Sequence, residues 1–67
     1  MKNSVRECRE ELRITQQDLA NRVGVSRQSI ISIEKGKYDP SLALAFKLSA
    51  VLERGIEELF IPSPELT

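Results

Sequence analysis

A glycine at position 24, two residues short of the next helix-start signal, leaves this 67-residue chain few ways to fold. Thr15-Gln16-Gln17-Asp18 sets a hydroxyl before an acid three residues on, a shortened capping box at the positive end of a helix. The helix it opens runs to Val23 and stops at Gly24, the residue type best suited to the left-handed conformation past a helix end. Ser26 then begins another helix after only Val25. A connection this short makes the second helix cross close over the first. Ala20 is small where that crossing occurs, and Leu19, Val23, Val25, Ile30 and Ile33 are the apolar positions that join the two helices to each other and to the rest. Together the seven positions specify a helix-turn-helix.

The remaining segments read as helices too. Val5, Cys8 and Leu12 lie at i, i+3 and i+7 in a charged stretch, which predicts an amphipathic helix from Asn3 to Arg13. The Ser26 helix turns Ile30 and Ile33 inward and ends at Gly36. Asp39-Pro40-Ser41 is a turn with an N-cap, opening a fourth helix from Leu42 to Leu52. Arg54-Gly55 breaks the chain, and Ile56 to Phe60 form a short fifth helix. Strict apolar/polar alternation is missing, so strands have little support. The expectation is an all-α, compact five-helix domain over residues 1–61, with a tail over 62–67 marked by Pro62 and Pro64.

Composition narrows the function. Ten basic residues balance ten acidic ones, which excludes a uniformly basic nucleic-acid coat. The balance hides an asymmetry: residues 1–38 carry an excess of three positive charges and residues 39–67 the same excess of negative ones. A polyanion should therefore meet the first half. Histidine is absent and there is one cysteine, so neither an internal disulfide, a structural zinc site nor the commonest general base is available. No metal, cofactor or small-molecule effector is expected, and no enzyme activity. Cys8 reads as a small, half-buried packing residue. With no long apolar run and no signal-peptide core, the chain is expected to be cytoplasmic, away from membranes.

The sequence resembles the phage-repressor and Cro type of helix-turn-helix regulator, the XRE family. Val5–Leu12, Thr15–Ala20, Gly24–Ile30, Ile33–Leu42 and Ile56–Phe60 carry the resemblance, which covers residues 3–61. It implies a transcriptional regulator that reads double-stranded DNA. It also implies that Gln16 holds a phosphate and buttresses the reading helix, and that Arg9 and Glu34 form a partly buried ion pair. Two departures stand out. The break after the fourth helix is usually a glycine followed by Ser or Thr, whereas here it is Glu53-Arg54-Gly55. Ile31 and Phe46 are also more apolar than those positions commonly are.

A reading helix offers its outward face to base edges, its N-terminal residues deepest. With Ile30 and Ile33 inward, that face holds Arg27, Gln28, Ile31, Ser32 and Lys35. Arg27 suits guanine O6 and N7, Gln28 adenine N6 and N7, Ile31 a thymine methyl, and Ser32 a base edge or phosphate. The alternatives are a phosphate contact for Arg27 and a helix-end hydrogen bond for Gln28. Backbone phosphates should meet Gln16, Gln17 and Ser26 at helix starts, and Lys35, Lys37 and Tyr38 beyond the reading helix.

Nine of the eleven residues from Leu42 to Leu52 are apolar, more than a helix with one wet face needs. The surplus predicts a homodimer built on Phe46, Ile56, Leu59, Phe60 and Ile61, the fifth helix being the dimerisation element. Two reading heads would then meet a palindromic operator, most simply as a repressor. The competing reading is an antitoxin-like or adaptor module whose C-terminal apolar surface binds a different protein.

Overall fold

The computed structural model of the chain describes residues 1–61. The expected tail at 62–67 lies outside them. Five helices follow in order: α1 (Val5–Glu11), α2 (Gln16–Val23), α3 (Arg27–Glu34), α4 (Leu42–Leu52) and α5 (Ile56–Leu59). A two-residue strand at each end, β1 (Lys2–Asn3) and β2 (Phe60–Ile61), completes the fold.

Three of the helices begin where a hydroxyl caps them. Thr15 Oγ1 accepts the Asp18 N–H at 3.0 Å, Ser26 Oγ the Ser29 N–H at 3.1 Å, and Ser41 Oγ the Leu44 N–H at 3.1 Å. Each bond satisfies a donor that helix geometry leaves without an internal acceptor. Gly24 ends α2 at φ +76°, with no atom near the position a Cβ would take. Backbone conformation alone, and not crowding, therefore demands glycine there.

Apolar side chains from every helix meet in one core. Val5, Leu19, Ala20, Ile30, Ile33, Leu48, Leu52 and Leu59 are fully excluded from solvent. The underside of α3 is anchored in that core by Ile30 and Ile33, so α3 cannot tilt without opening it. Leu44, Ala45, Leu48 and Leu52 bury one side of α4, while Leu42 and Phe46 stay exposed on it.

The ends of the molecule correct the expected element boundaries. β1 and β2 pair antiparallel, with Lys2 opposite Ile61 and Asn3 opposite Phe60, and the Ser4 N–H donates to the Leu59 carbonyl at 2.8 Å. This ladder takes Asn3 out of α1 and Phe60 out of α5, so each helix is shorter than its apolar spacing suggests. At its other end α1 stops at Glu11, and Arg13, the expected last residue, sits at φ +57° in the turn that follows. The break after α4 is made by Glu53 in the left-handed conformation, φ +57°, rather than by Gly55. Gly55 instead precedes α5 with extended backbone, its N–H donating to Glu58 Oε1 at 3.2 Å.

Candidate nucleic-acid interface

A buried ionic network sets the position of α3. Arg9, on α1, reaches Glu34 at the end of α3 with Nε 2.7 Å from Oε2 and Nη2 3.4 Å from Oε1. Its third contact is Nη1 donating to the Ile14 carbonyl in the α1–α2 turn at 2.9 Å. Gln16, first residue of α2, donates from Nε2 to Glu34 Oε1 at 3.0 Å. The side chains of Arg9 and Glu34 are 11% and 5% exposed, so the pair is held in low dielectric with most of its hydrogen-bonding capacity matched. One carboxylate thus ties three helices together.

From the N-terminal side, Asn3 Nδ2 donates to the Ile33 carbonyl at 2.8 Å. This carbonyl, one of the last of α3, also accepts the Gly36 N–H at 2.9 Å, so Asn3 is its second donor. Gly36, at φ +75°, follows, and a Cβ there would stand 3.2 Å from the Met1 carbonyl oxygen. Asn3 was not singled out from sequence, because its partner lies thirty residues away and no local pattern announces it.

With α3 held this way, Arg27 and Gln28 project from its first turn into solvent, and Ile31 and Ser32 are half-buried on its flanks. The four residues split between two edges of the helix. Arg27, Ile31 and Lys35 line a polar cleft shared with α1 and the start of α2. Gln28 and Ser32 line a shallow groove on the opposite edge, together with Ser29 and Tyr38. Tyr38, in the loop after α3, thus lies on the same edge as Gln28 and Ser32. Lys37 is exposed in the loop after α3.

The helix starts have the geometry for anions. Neither the Gln16 nor the Gln17 backbone N–H meets an acceptor among the described residues. Both side chains are already engaged: Gln16 with Glu34, and Gln17 Nε2 with Asn21 Oδ1 at 2.9 Å. A phosphate at this end would meet the two backbone donors first. Ser26 is exposed, its hydroxyl shared between the Ser29 N–H and Ser29 Oγ at 3.1 Å. Arg6 was overlooked in the sequence: it lines the same cleft from α1, one turn before Arg9.

The proposed dimer residues do not form one surface. Leu59 and Phe60 are 0% and 7% exposed, packed into the chain's own core, which removes them from any interface. The β1–β2 ladder and the packing of α5 against α4 bring this segment back into the core. Phe46 and Ile61 are exposed at 58% and 51%, and Ile56 is half-buried against the core. Phe46 and Ile56 line one groove with Ser49, Gly55, Glu57 and Glu58. Among the described residues no helix is long and apolar enough to cross a membrane.

Comparison with known proteins agrees with this geometry. Residues 5–59 match the Helix-turn-helix family. Over 61 residues the chain is 56% identical to an uncharacterized HTH-type transcriptional regulator of Methanocaldococcus jannaschii, covering 91% of this chain and 92% of that protein. It is 43% identical over 60 residues to the uncharacterized HTH-type transcriptional regulator YgzD of Bacillus subtilis, covering 90% and 91%. Among solved structures it is similar to the restriction-modification controller protein C.AhdI of Aeromonas hydrophila, with a TM-score of 0.76 at 32% identity over 84% of this chain and 85% of that one. The helix-turn-helix spacing, the capped and anchored α3 and these relatives place the chain in the XRE-type helix-turn-helix family of DNA-binding transcriptional regulators.

Proposed function

We propose that the protein is a sequence-specific regulator that binds a palindromic operator as a homodimer and represses by occluding the promoter. One observation carries the reading: α3 is locked from beneath by Ile30 and Ile33 and at its end by Glu34, while Arg27 and Gln28 stand free at the end that enters a groove first. Rigid presentation matters because bidentate base contacts need their donors placed before the duplex arrives. Arg27, Gln28, Ile31 and Ser32 read bases. Gln16, Gln17, Ser26, Lys35, Lys37 and Tyr38 fix the register on the backbone.

The homodimer is supported by the exposed Phe46 and the half-buried Ile56 beside it, an apolar groove on the face that carries α4 and α5. Leu42, 68% exposed on the same helix, extends the apolar surface. Pairing two chains doubles the phosphate contacts available to a molecule with no net charge. Selection of bound duplexes from a random library tests the whole reading. Enriched sequences should show two inverted half-sites with centres about 34 Å apart. A pool with no enrichment would remove the sequence-specific function.

The same groove favours a second reading, a module that binds a different protein. Light scattering on the purified protein separates the two: a dimer supports the first, a monomer the second.

A further inference from the structure

The cleft between α1, α2 and α3 carries an excess of positive charge on a molecule with none overall. Arg6, Arg9, Arg27 and Lys35 line it against only Glu10 and Glu34. Arg9 and Glu34 neutralise each other in the buried network. The remaining charges are Arg6, Arg27 and Lys35 against one carboxylate, that of Glu10. The cleft also contains the start of α2, where the Gln16 and Gln17 N–H groups meet no acceptor among the described residues.

Arg6 is held in this cleft only loosely. Its Nε lies 3.4 Å from Glu10 Oε2, and the two side chains are 66% and 56% exposed. An exposed pair of this length contributes little to folding. The arrangement is also unfavourable for the helix that carries it. Arg6 occupies the first turn of α1 and Glu10 the last, each at the end of the macrodipole that repels its charge, and an i,i+4 pair is weaker in this order. A phosphate oxygen brought to the mouth of the cleft competes with a poorly placed carboxylate.

We propose that Arg6 exchanges Glu10 for a backbone phosphate of bound DNA, so that α1 is a second phosphate-contacting element beside the start of α2. Glu10 then sets how strongly that flank is held. The proposal rests on the DNA-binding reading and adds to it an element that the reading-helix argument does not use. It contributes affinity without sequence preference, since a phosphate carries no base identity.

The test uses the full chain, wild type and with Arg6→Gln or Glu10→Gln. Binding is followed by fluorescence anisotropy over a range of salt concentrations, on a selected duplex and on a scrambled one. Arg6→Gln should weaken binding to both duplexes by the same factor and lower the slope of log K against log salt by about 0.9 per reading head. Glu10→Gln breaks the same ion pair but should strengthen binding to both duplexes. Circular dichroism should show both variants folded. Equal affinity and slope for Arg6→Gln and wild type would overturn the proposal, as would weakening by both variants, which marks the pair as structural. Failure of the wild type to bind either duplex would instead overturn the DNA-binding reading, and this proposal with it.

Discussion

Single residues hold some of the tightest constraints in this molecule. Glu53 ends α4 at φ +57°, a conformation that costs a residue with a Cβ about 1–2 kcal/mol. Glycine there would relieve the strain and return part of the gain through its freedom in the unfolded chain. Glu53→Gly should therefore raise stability by about 0.5–1 kcal/mol, read from the urea midpoint at unchanged m-value. Cys8 is 7% exposed, and burial pushes its thiol pKa up from the ordinary value of 9.0 against a smaller opposite pull from Arg54. The folded chain then keeps this proton at pH values where the unfolded chain has lost it. Its contribution to stability is complete below the ordinary thiol value and is lost as pH rises from there through the raised value. Cys8 should react with an aromatic disulfide reagent only at the rate of opening of the fold, and at the rate of a free thiol in denaturant. Arg27 and Gln28 are exposed, and among the described residues their side chains make no hydrogen bond or ion pair, so Arg27→Ala and Gln28→Ala should leave the thermal transition in place. Each should cost specific duplex binding about 1–3 kcal/mol, with scrambled duplex less affected.

Whole elements are positioned by contacts that no single helix contains. The end of α3 is tied to α1 by Arg9, to α2 by Gln16 and to β1 by Asn3. Removing one member of the buried pair strands the other charge in low dielectric. Arg9→Met alone should cost about 3–5 kcal/mol, enough to unfold most of a domain this small. Arg9→Met with Glu34→Leu should cost much less than Arg9→Met alone, since no buried charge is left. Chemical denaturation of the two singles and the double gives the coupling, and additive effects would show that the pair is not buried in solution. The resemblance implied this pair, but composition and spacing could not, because Arg9 and Glu34 are 25 positions apart. Thr15, Ser26 and Ser41 are different: each caps a donor three residues away, which is why α2, α3 and α4 are readable from local sequence.

At the scale of the molecule, the open question is where the surplus apolar surface goes. Two of the five expected interface residues are core: Leu59 and Phe60 are inside, while Phe46 and Ile61 are outside and Ile56 is half-buried. A dimer through the Phe46–Ile56 groove predicts that Phe46→Lys gives a monomer by light scattering. Its thermal midpoint should hold at concentrations where the wild type is also monomeric, because Phe46 is exposed in the single chain. Such a variant should lose affinity for a two-half-site duplex and keep it for a single half-site.

The sequence by itself determined what depends on residues three or four apart: the helical periodicity, the three hydroxyl caps and the left-handed stop at Gly24. These are set by backbone geometry within one turn, so they hold whatever packs around them. Only the tertiary structure decided the pairing of β1 with β2, the left-handed Glu53 in place of a glycine, and which apolar residues of the last segment are covered. A two-residue strand has no periodicity to read, and burial is set by neighbours nearly sixty residues away in the chain, as Asn3 is from Phe60.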